Sequence, residues 1–242
     1  LGFHNVSFFV PDRFELGYGL TPEVVSRVQD LEPTLLVTVD NGVTSIAGVD
    51  AARNAGIDVL ITDHHLPGDE LPVANVIVNP NLAGNSFGGK CLAGVGVAFY
   101  LLAALGKSMG APAQVARYLD LVALGTIADL VPLDHSNRIL VDEGLRRIRA
   151  GHCRPGLLAL CEVSAVAFRD VTAETLAFQL APRLNAAGRL DDMTVGVRCL
   201  TSDSEDGARG LAAQLDALNR ERRSIEQRMR SEAATLVDAE QL

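Results

Sequence analysis

The sequence has no apolar run long enough to cross a lipid bilayer. Its longest weakly polar stretch, residues 93–106, contains 14 residues, whereas a membrane-spanning helix needs about 20. Cysteine is also scarce: the chain has 4 and none of them is in CxxC spacing. This argues against a zinc knuckle and against a disulfide framework. We therefore expect a soluble protein of a reducing compartment, the cytoplasm, that has no membrane partner.

Lysine is nearly absent from the chain. Among the 21 basic residues, only Lys90 and Lys107 are lysines. Arginine can bind phosphate through two parallel hydrogen bonds, so the bias suits phosphate recognition, although a GC-rich genome would produce the same bias. The formal net charge of -9 argues against a nucleic-acid footprint that spreads over the whole chain. A phosphate-binding surface would therefore have to be local.

Short apolar segments alternate with helical patterns in the first third of the chain. The predicted strands are residues 6–10, 35–39, 58–62 and 75–78. One predicted helix begins at Thr21-Pro22-Glu23, which supplies an N-cap, a first-turn proline and an early acid, and another covers residues 44–55. Strands that are apolar throughout and separated by helices indicate a parallel sheet covered on both faces. The predicted fold class is α/β, with a doubly wound and mostly parallel sheet.

Only helical patterns follow residue 92. Helices are predicted over residues 93–105, 114–125, 139–150 and 155–166. A last pattern, over about residues 205–240, holds 14 charged residues among 36 and no proline, which is typical of a connecting helix. We predict one domain over residues 1–200, α/β up to residue 92 and mainly helical after it. The start of a connecting helix would then occupy residues 201–242.

Two successive predicted strands end in residues that could bind a metal ion. Asp40 follows the first of them and is itself followed by an Asn-Gly pair, which lets the backbone turn away and leaves the carboxylate at the strand tip. Asp63, His64 and His65 follow the second. Because ligands of open α/β sheets bind outside the carboxyl ends of the strands, these side chains are candidates for one site.

A third acidic residue, Asp129, lies in the apolar sequence GTIADLVPL. A lone carboxylate would be costly to bury there unless it is paired or bound to metal. Carboxylate and imidazole groups together suit manganese, magnesium or zinc, and oxygen-rich ligation favours the first two. Each acid alone is also explained as a helix cap or a turn residue, but three such sites at compatible ends of one sheet are harder to explain in that way.

Several segments resemble one known family. VTVDNG (residues 37–42), TDHH (62–65) and GTIADLVPL (125–133) resemble the second, third and fourth motifs of the DHH phosphoesterases. Further segments are similar to the branch of this family that degrades single-stranded DNA, and they occur in the same order: DRFELGYGL, TDHHLPGDELP, NPNL, LAGVGVAFYL and PRLNAAGRLDD. Together these segments cover nearly the whole chain.

The resemblance implies a site that holds two divalent ions, Mn2+ or Mg2+. Asp40 would bridge the ions, and His64 and Asp129 would bind metal. His65 would face the scissile phosphate and stabilise its developing charge, while Asp63 would orient a histidine through a hydrogen bond. A two-metal site of this kind generates hydroxide at neutral pH and holds the attacking and leaving oxygens. Asp40 and His65 are therefore the expected catalytic residues.

The resemblance also implies contacts to DNA and to other proteins. Residues similar to those that hold DNA phosphates are Arg13 and, in the RLNAAGR segment, Arg183, Asn185 and Arg189. Arg189 has the alternative of pairing with one of the aspartates that follow it. The implied substrate is single-stranded DNA. A single-strand-binding protein and a RecQ-type helicase are the expected protein partners, and the expected state is a monomer.

Two parts of the family pattern are not found in the sequence. The first motif, an Asp-rich loop of the DxDG type, should lie upstream of Leu1, and the C-terminal DHH-associated domain should lie beyond Leu242. We therefore expect the chain to be a central fragment of a longer protein, with an incomplete two-metal site and little activity of its own.

Three functions remain open. The leading one is a 5′ to 3′ exonuclease that releases 5′-mononucleotides from single-stranded DNA in repair and recombination. The alternatives are a small-molecule phosphohydrolase, acting on pyrophosphate or short oligonucleotides, and a metal-free scaffold in replication. The family segments outside the metal motifs disfavour a small substrate, because it would not require them. The retained ligands disfavour a scaffold, which has no chemical need for a metal cage.

Overall fold

A computed structural model describes residues 2–12, 14–190 and 192–240 of the chain, without the side chains of residues 112–113, 189–190 and 236–240. The chain divides into two compact units, Leu1–His152 and Cys153–Leu242. The first contains a parallel sheet with helices, so the predicted α/β class is confirmed. The domain limits predicted from the sequence, 1–200 and 201–242, differ from these units and stay a prediction.

The sheet of the first unit has three parallel strands in the described residues. They are β1 (Leu35–Val39), β2 (Asp58–Thr62) and β3 (Val76–Val78), hydrogen-bonded in that order. Leu35 lies opposite Asp58, and Leu60 lies opposite Val76. The bounds of β1 and β2 agree with the prediction, because both are continuous runs of apolar and β-branched residues that suit a buried strand.

The strand predicted over residues 6–10 is wrong. This segment is irregular in the structure, and Val6 is 74% and Phe8 53% exposed. An apolar run forms a strand only where a neighbouring strand offers its backbone groups, and the sheet formed by the described residues does not extend to this segment.

Two helices pack against the strands through an apolar core. These are α1 (Pro22–Val28) and α2 (Ile46–Asn54). The hydroxyl of Thr21 caps α1 by accepting a hydrogen bond from the amide of Val24, as the sequence predicts. The buried core between these helices and the sheet includes the following side chains: Leu20, Val24, Val25, Val49, Ile57, Val59 and Ile61.

The other regular elements of the first unit are helices. It contains α3 (Gly94–Ser108), a 3-10 segment (Pro112–Tyr118), α4 (Leu119–Ala128) and α5 (His135–Arg149). Leu92, Val97, Leu119, Val122 and Leu140 form a second core cluster. None of the helices among the described residues has the length and apolar character needed to cross a membrane.

The second unit is helical in its described part. Its elements are α6 (Pro155–Val163), a 3-10 turn (Phe168–Asp170), α7 (Ala173–Thr175), a π-helical turn (Leu176–Leu180), α8 (Ala181–Leu190), α9 (Thr194–Thr201) and α10 (Glu205–Glu240). The long helix α10 buries Ala208, Ala212 and Leu215 where it packs against α6, α8 and α9. A strongly charged helix is held here by a narrow stripe of small and apolar residues.

Candidate metal centre

The carboxyl ends of the three strands lie side by side, and the hydrogen-bond ladder continues one residue past them. The amide of Asp40 donates to the carbonyl of Thr62 at 2.9 Å, and the amide of Asp63 donates to the carbonyl of Val78 at 3.1 Å. Asp40 and Asp63 are therefore the first residues of the loops that follow β1 and β2, and these hydrogen bonds fix both residues at one edge of the sheet.

The turn after β1 holds Asp40 in a left-handed backbone conformation. Its φ is 64°, and that of Gly42 is 112°. Gly42 is required here, because a methyl group in its place would lie 2.6 Å from Oγ1 of Thr38. A non-glycine residue at positive φ carries strain and is characteristic of functional sites. The side chain of Asp40 is left half exposed, at 52%.

His64 brings the predicted metal ligands together. Its Nε2 lies 3.0 Å from Oδ1 of Asp40 and 3.3 Å from Oδ2 of Asp129. The two carboxylates come from the end of β1 and the residue that follows α4, 89 positions apart in the sequence. Asp40, His64 and His65 each offer a ligand atom, and these atoms lie within 4.8 Å of one another.

Asp63 is almost fully buried and holds the backbone of both histidines. Its Oδ2 accepts a hydrogen bond from the amide of Val43 at 2.9 Å, and its Oδ1 accepts from the amides of His64 at 2.8 Å and His65 at 3.2 Å. Oδ1 also lies 2.7 Å from Nδ1 of His65. Because a carboxylate can only accept, Nδ1 carries the proton and Nε2 is the His65 atom left for the site.

The titration behaviour of these groups reflects the same contacts. Burial opposes ionisation of Asp63, but hydrogen bonds from Val43, His65 and His64 outweigh it and lower the pKa of this carboxyl. Burial alone would lower the pKa of His65, but the hydrogen bond to Asp63 and the nearby carboxylates raise it. Partial burial raises the pKa of Asp40, with His64 opposing the rise and the charge of Asp129 adding to it.

The residues present fit a divalent cation. Nε2 of His64 is buried and faces two carboxylate oxygens, yet it makes no hydrogen bond of normal geometry within the described part of the chain. A buried ring nitrogen in this position is costly unless something satisfies it. One imidazole nitrogen with two carboxylates is a donor set that suits Mn2+ and, with its oxygens, Mg2+.

Of the four residues predicted to bind phosphate, two have side chains that the structure describes, Arg183 and Asn185. Asn185, on α8, is exposed. Arg13 and the side chain of Arg189 lie outside the described residues, as does Asp191, while the other candidate partner of Arg189, Asp192, accepts a hydrogen bond from the amide of Thr194 at 2.8 Å.

Arg183, predicted to bind phosphate, forms an ion pair with an aspartate of the same unit. Its Nε lies 2.9 Å from Oδ1 of Asp216 on α10, and only 12% of the Arg183 side chain is exposed. Its Nη1 donates to the carbonyl of Gln179 at 2.6 Å. The guanidinium is therefore used to join α8 to α10, and this geometry does not support a phosphate contact.

Asn79 and Asn81 are not among the residues predicted for the site, yet their side chains contact the carbonyls of the two histidines. A signal was available, because Asn-Pro-Asn directly follows β3. The carboxyl end of β3 lies at the same edge as those of β1 and β2.

Comparison with known proteins agrees with this geometry. The model of the DHH family, N-terminal domain, matches residues 2–126. The chain belongs to the DHH family. The matched range contains Asp40, His64 and His65, and Asp129 lies just beyond it. The resemblance seen in the sequence is therefore confirmed at the level of the DHH family.

Relatives of this DHH chain are named single-stranded-DNA-specific exonuclease RecJ. The protein of Salmonella typhimurium is 55% identical over 98% of the chain and 43% of its own length. That of Escherichia coli is 54% identical over 98% and 43%, and that of Thermus thermophilus is 40% identical over 93% and 32%. The chain thus spans less than half of the length of these curated relatives.

Solved structures of RecJ are similar to this DHH chain. A crystal structure of exonuclease RecJ bound to manganese gives a TM-score of 0.81 at 39% identity, over 91% of this chain and 55% of that one. RecJ of Thermus thermophilus in complex with Mn2+ gives 0.76 at 38% identity, over 86% and 31%. Its complex with Mg2+ gives 0.63 at 34% identity, over 86% and 30%.

Proposed function

We propose that this chain is part of a metal-dependent exonuclease that hydrolyses phosphodiester bonds in single-stranded DNA. The observation that carries the proposal is the buried Nε2 of His64 facing the carboxylates of Asp40 and Asp129. It occurs in a DHH-family chain whose relatives are named exonucleases specific for single-stranded DNA. We further propose 5′ to 3′ degradation with release of 5′-mononucleotides, in DNA repair and recombination.

Asp40, His64 and Asp129 would hold the metal, which is Mn2+ or Mg2+ in this proposal. Such an ion, when bound, polarises the phosphate and lowers the pKa of water. Asp40, half exposed at the strand tip, would be the ligand shared by two ions. Asp63 keeps the two histidines in place through the hydrogen bonds to their amides.

His65 would stabilise the charge that develops on the phosphate. Asp63 holds its Nδ1 at 2.7 Å, so the ring presents Nε2 to the substrate. The hydrogen bond to Asp63 raises the pKa of His65 in the metal-free protein, and the protonated ring would donate a hydrogen bond from Nε2 to a phosphate oxygen. Donors fixed in place before the reaction are worth most in the transition state, because they need not reorganise.

Contacts with DNA outside the metal centre are proposed for Arg13, Asn185 and Arg189. Arg183 instead joins two helices through Asp216. A single-strand-binding protein and a RecQ-type helicase remain the proposed protein partners. A monomer in the cytoplasm is the proposed state.

The test uses the longer protein and the 242-residue chain side by side. Both are incubated with manganese and single-stranded DNA labelled at the 5′ or the 3′ end. We expect the longer protein to release labelled mononucleotide first from the 5′ end. The chain alone should be far slower, because Asp40, His64 and Asp129 together serve one ion well and a two-metal mechanism needs two. Cleavage of pyrophosphate but not of DNA would favour the small-molecule phosphohydrolase, and no hydrolysis in either assay would favour the scaffold.

A further inference from the structure

The loop after β3 contacts the backbone of both histidines of the metal centre. Nδ2 of Asn79 donates a hydrogen bond to the carbonyl of His65 at 2.8 Å, and Nδ2 of Asn81 donates to the carbonyl of His64 at 2.6 Å. Asn79 is only 2% exposed. Each histidine therefore has an asparagine of its own on its carbonyl oxygen.

The two asparagine amides are themselves held in one orientation. Oδ1 of Asn79 accepts a hydrogen bond from the amide of Asn81 at 2.8 Å, so Nδ2 is the atom that faces His65. Nδ2 of Asn85 donates to the carbonyl of Asn79 at 3.1 Å. The ammonium of Lys90 donates to the carbonyls of Pro80 and Asn85. Hydrogen bonds within the loop therefore fix the side-chain amide of Asn79 and the backbone of Asn81 before any metal binds.

The backbone of the His64-His65 pair is thus held from both sides. Asp63 accepts the two amide protons, and Asn79 and Asn81 donate to the two carbonyl oxygens. A ring nitrogen moves with the backbone that carries it, and metal coordination tolerates errors of only a few tenths of an ångström. Groups that orient metal ligands typically change metal affinity by about 10- to 100-fold when they are removed.

We propose that Asn79 and Asn81 are positioning residues for the His64-His65 pair, and that Asn81 sets the His64 ring for metal binding. This inference rests on the metal centre of the proposed function and deepens it. The competing explanation is that the two asparagines only stabilise a loop. Metal affinity separates the two explanations, because loss of loop stability alone lowers the melting temperature of the metal-free protein without weakening metal binding in the folded protein.

Asn75 provides a matched control. Its Oδ1 accepts a hydrogen bond from the amide of Val59 at 2.8 Å, and its Nδ2 donates to Oδ1 of Asp58 at 2.7 Å. It therefore ties a loop to β2 as Asn79 and Asn81 tie theirs to the histidines, but at the opposite end of the strand. Replacing it removes two side-chain hydrogen bonds, one more than replacing Asn81 removes, without touching the metal centre.

The experiment compares Asn81→Ala, Asn81→Ser and Asn75→Ala in the longer protein that contains this chain. Manganese affinity is measured by titration calorimetry, and the melting temperature is measured in EDTA. We expect both Asn81 variants to bind manganese about 10- to 100-fold more weakly than the wild type, and Asn75→Ala to bind it within about twofold, with its effect confined to the melting temperature. Asn81 is partly exposed, so its variants are better tolerated than a change at the buried Asn79.

The result that overturns the inference is wild-type manganese affinity in both Asn81 variants, or an equal loss in Asn75→Ala. The titration does not depend on turnover. If the wild type binds manganese but does not degrade single-stranded DNA, the proposed function fails while the positioning role is still measured. If the wild type does not bind manganese, both proposals fail.

Discussion

The first residue of α3, Gly94, lies directly against the carboxylate group of Asp40. A methyl group at Gly94 would lie 2.6 Å from both Cβ and Cγ of Asp40, which is closer than such atoms can approach. The N-terminus of α3 therefore borders the proposed metal centre, and its dipole favours the negative charge of the carboxylate. On the next residue, the Val95 side chain packs where Gly125 of α4 leaves room, because a methyl group at Gly125 would lie 2.7 Å from Cγ1 of Val95.

We expect Gly94→Ala to weaken manganese binding. The added methyl group must displace either α3 or Asp40, and both shifts move the carboxylate relative to His64. A loss of about 10- to 100-fold in affinity is the expected size for disturbing a group that orients a metal ligand. Titration calorimetry on the longer protein measures it. Gly96→Ala is the control, because its methyl group would meet only the flexible side chain of Leu92 at 3.1 Å. Equal affinities for the two variants would contradict the argument.

We expect Asp40→Asn to abolish hydrolysis of single-stranded DNA and to leave the fold intact. Asparagine tolerates the left-handed backbone of this position better than other residues do, so the change removes the charge without adding strain. A neutral amide cannot replace a carboxylate that bridges two cations. Initial rates with manganese in excess test this, and unchanged thermal unfolding in EDTA serves as the control. A rate within tenfold of the wild type would remove Asp40 from the proposed bridging role.

We expect alanine substitutions of the two histidines to change different properties, manganese affinity for His64 and turnover number for His65. His64→Ala should weaken manganese binding, because Nε2 of His64 faces both Asp40 and Asp129. His65→Ala should lower the turnover number by roughly 100- to 1000-fold with little change in manganese affinity, since one hydrogen-bond donor to a developing charge is worth about that much. Calorimetry and steady-state kinetics on both variants give the comparison. A loss of manganese affinity as large in His65→Ala as in His64→Ala would mean that His65 is a ligand.

Parts of the fold and site could be predicted from the sequence where a local pattern decides the outcome. The bounds of β1 and β2 follow from continuous apolar runs that end at a turn residue. The proximity of Asp40 to the histidines that follow β2 can be predicted from the parallel topology, because the carboxyl ends of neighbouring strands lie at one edge of the sheet.

Other parts depend on contacts between distant residues, which no local pattern encodes. Residues 6–10 have the composition of a strand but lack a neighbour in the sheet of the described residues. The Asn-Pro-Asn pattern after β3 marks the position of Asn81 but not the partner of its side chain, a carbonyl 17 positions away. Arg183 carries the charge expected of a phosphate ligand, and only the position of Asp216 on α10 reveals how that charge is used.

We expect the four cysteines to react with a thiol reagent in two classes. Burial raises the pKa of the Cys161 thiol to about 11 and that of Cys199 to about 11, so roughly one in a thousand of these groups is a thiolate at pH 8. Cys91 and Cys153 are only partly buried. A time course with an aromatic disulfide on the 242-residue chain should show two thiols reacting early and two more after denaturant is added. Four thiols of equal rate in the native chain would contradict the described burial.

Arg183 and Asn185 should differ in the property that each one changes. Arg183→Ala leaves the mostly buried Asp216 with Arg220, whose side chain is 73% exposed, so we expect a loss of about 1–3 kcal/mol in stability. Affinity for single-stranded DNA should change little, because the guanidinium already binds Asp216. Asn185→Ala, at an exposed position of the same helix, should leave stability unchanged and weaken DNA binding. Thermal unfolding and fluorescence anisotropy with labelled single-stranded DNA in EDTA measure both properties on the longer protein. If Arg183→Ala keeps its stability and loses DNA affinity, the ion pair with Asp216 is exchanged for a phosphate when DNA binds.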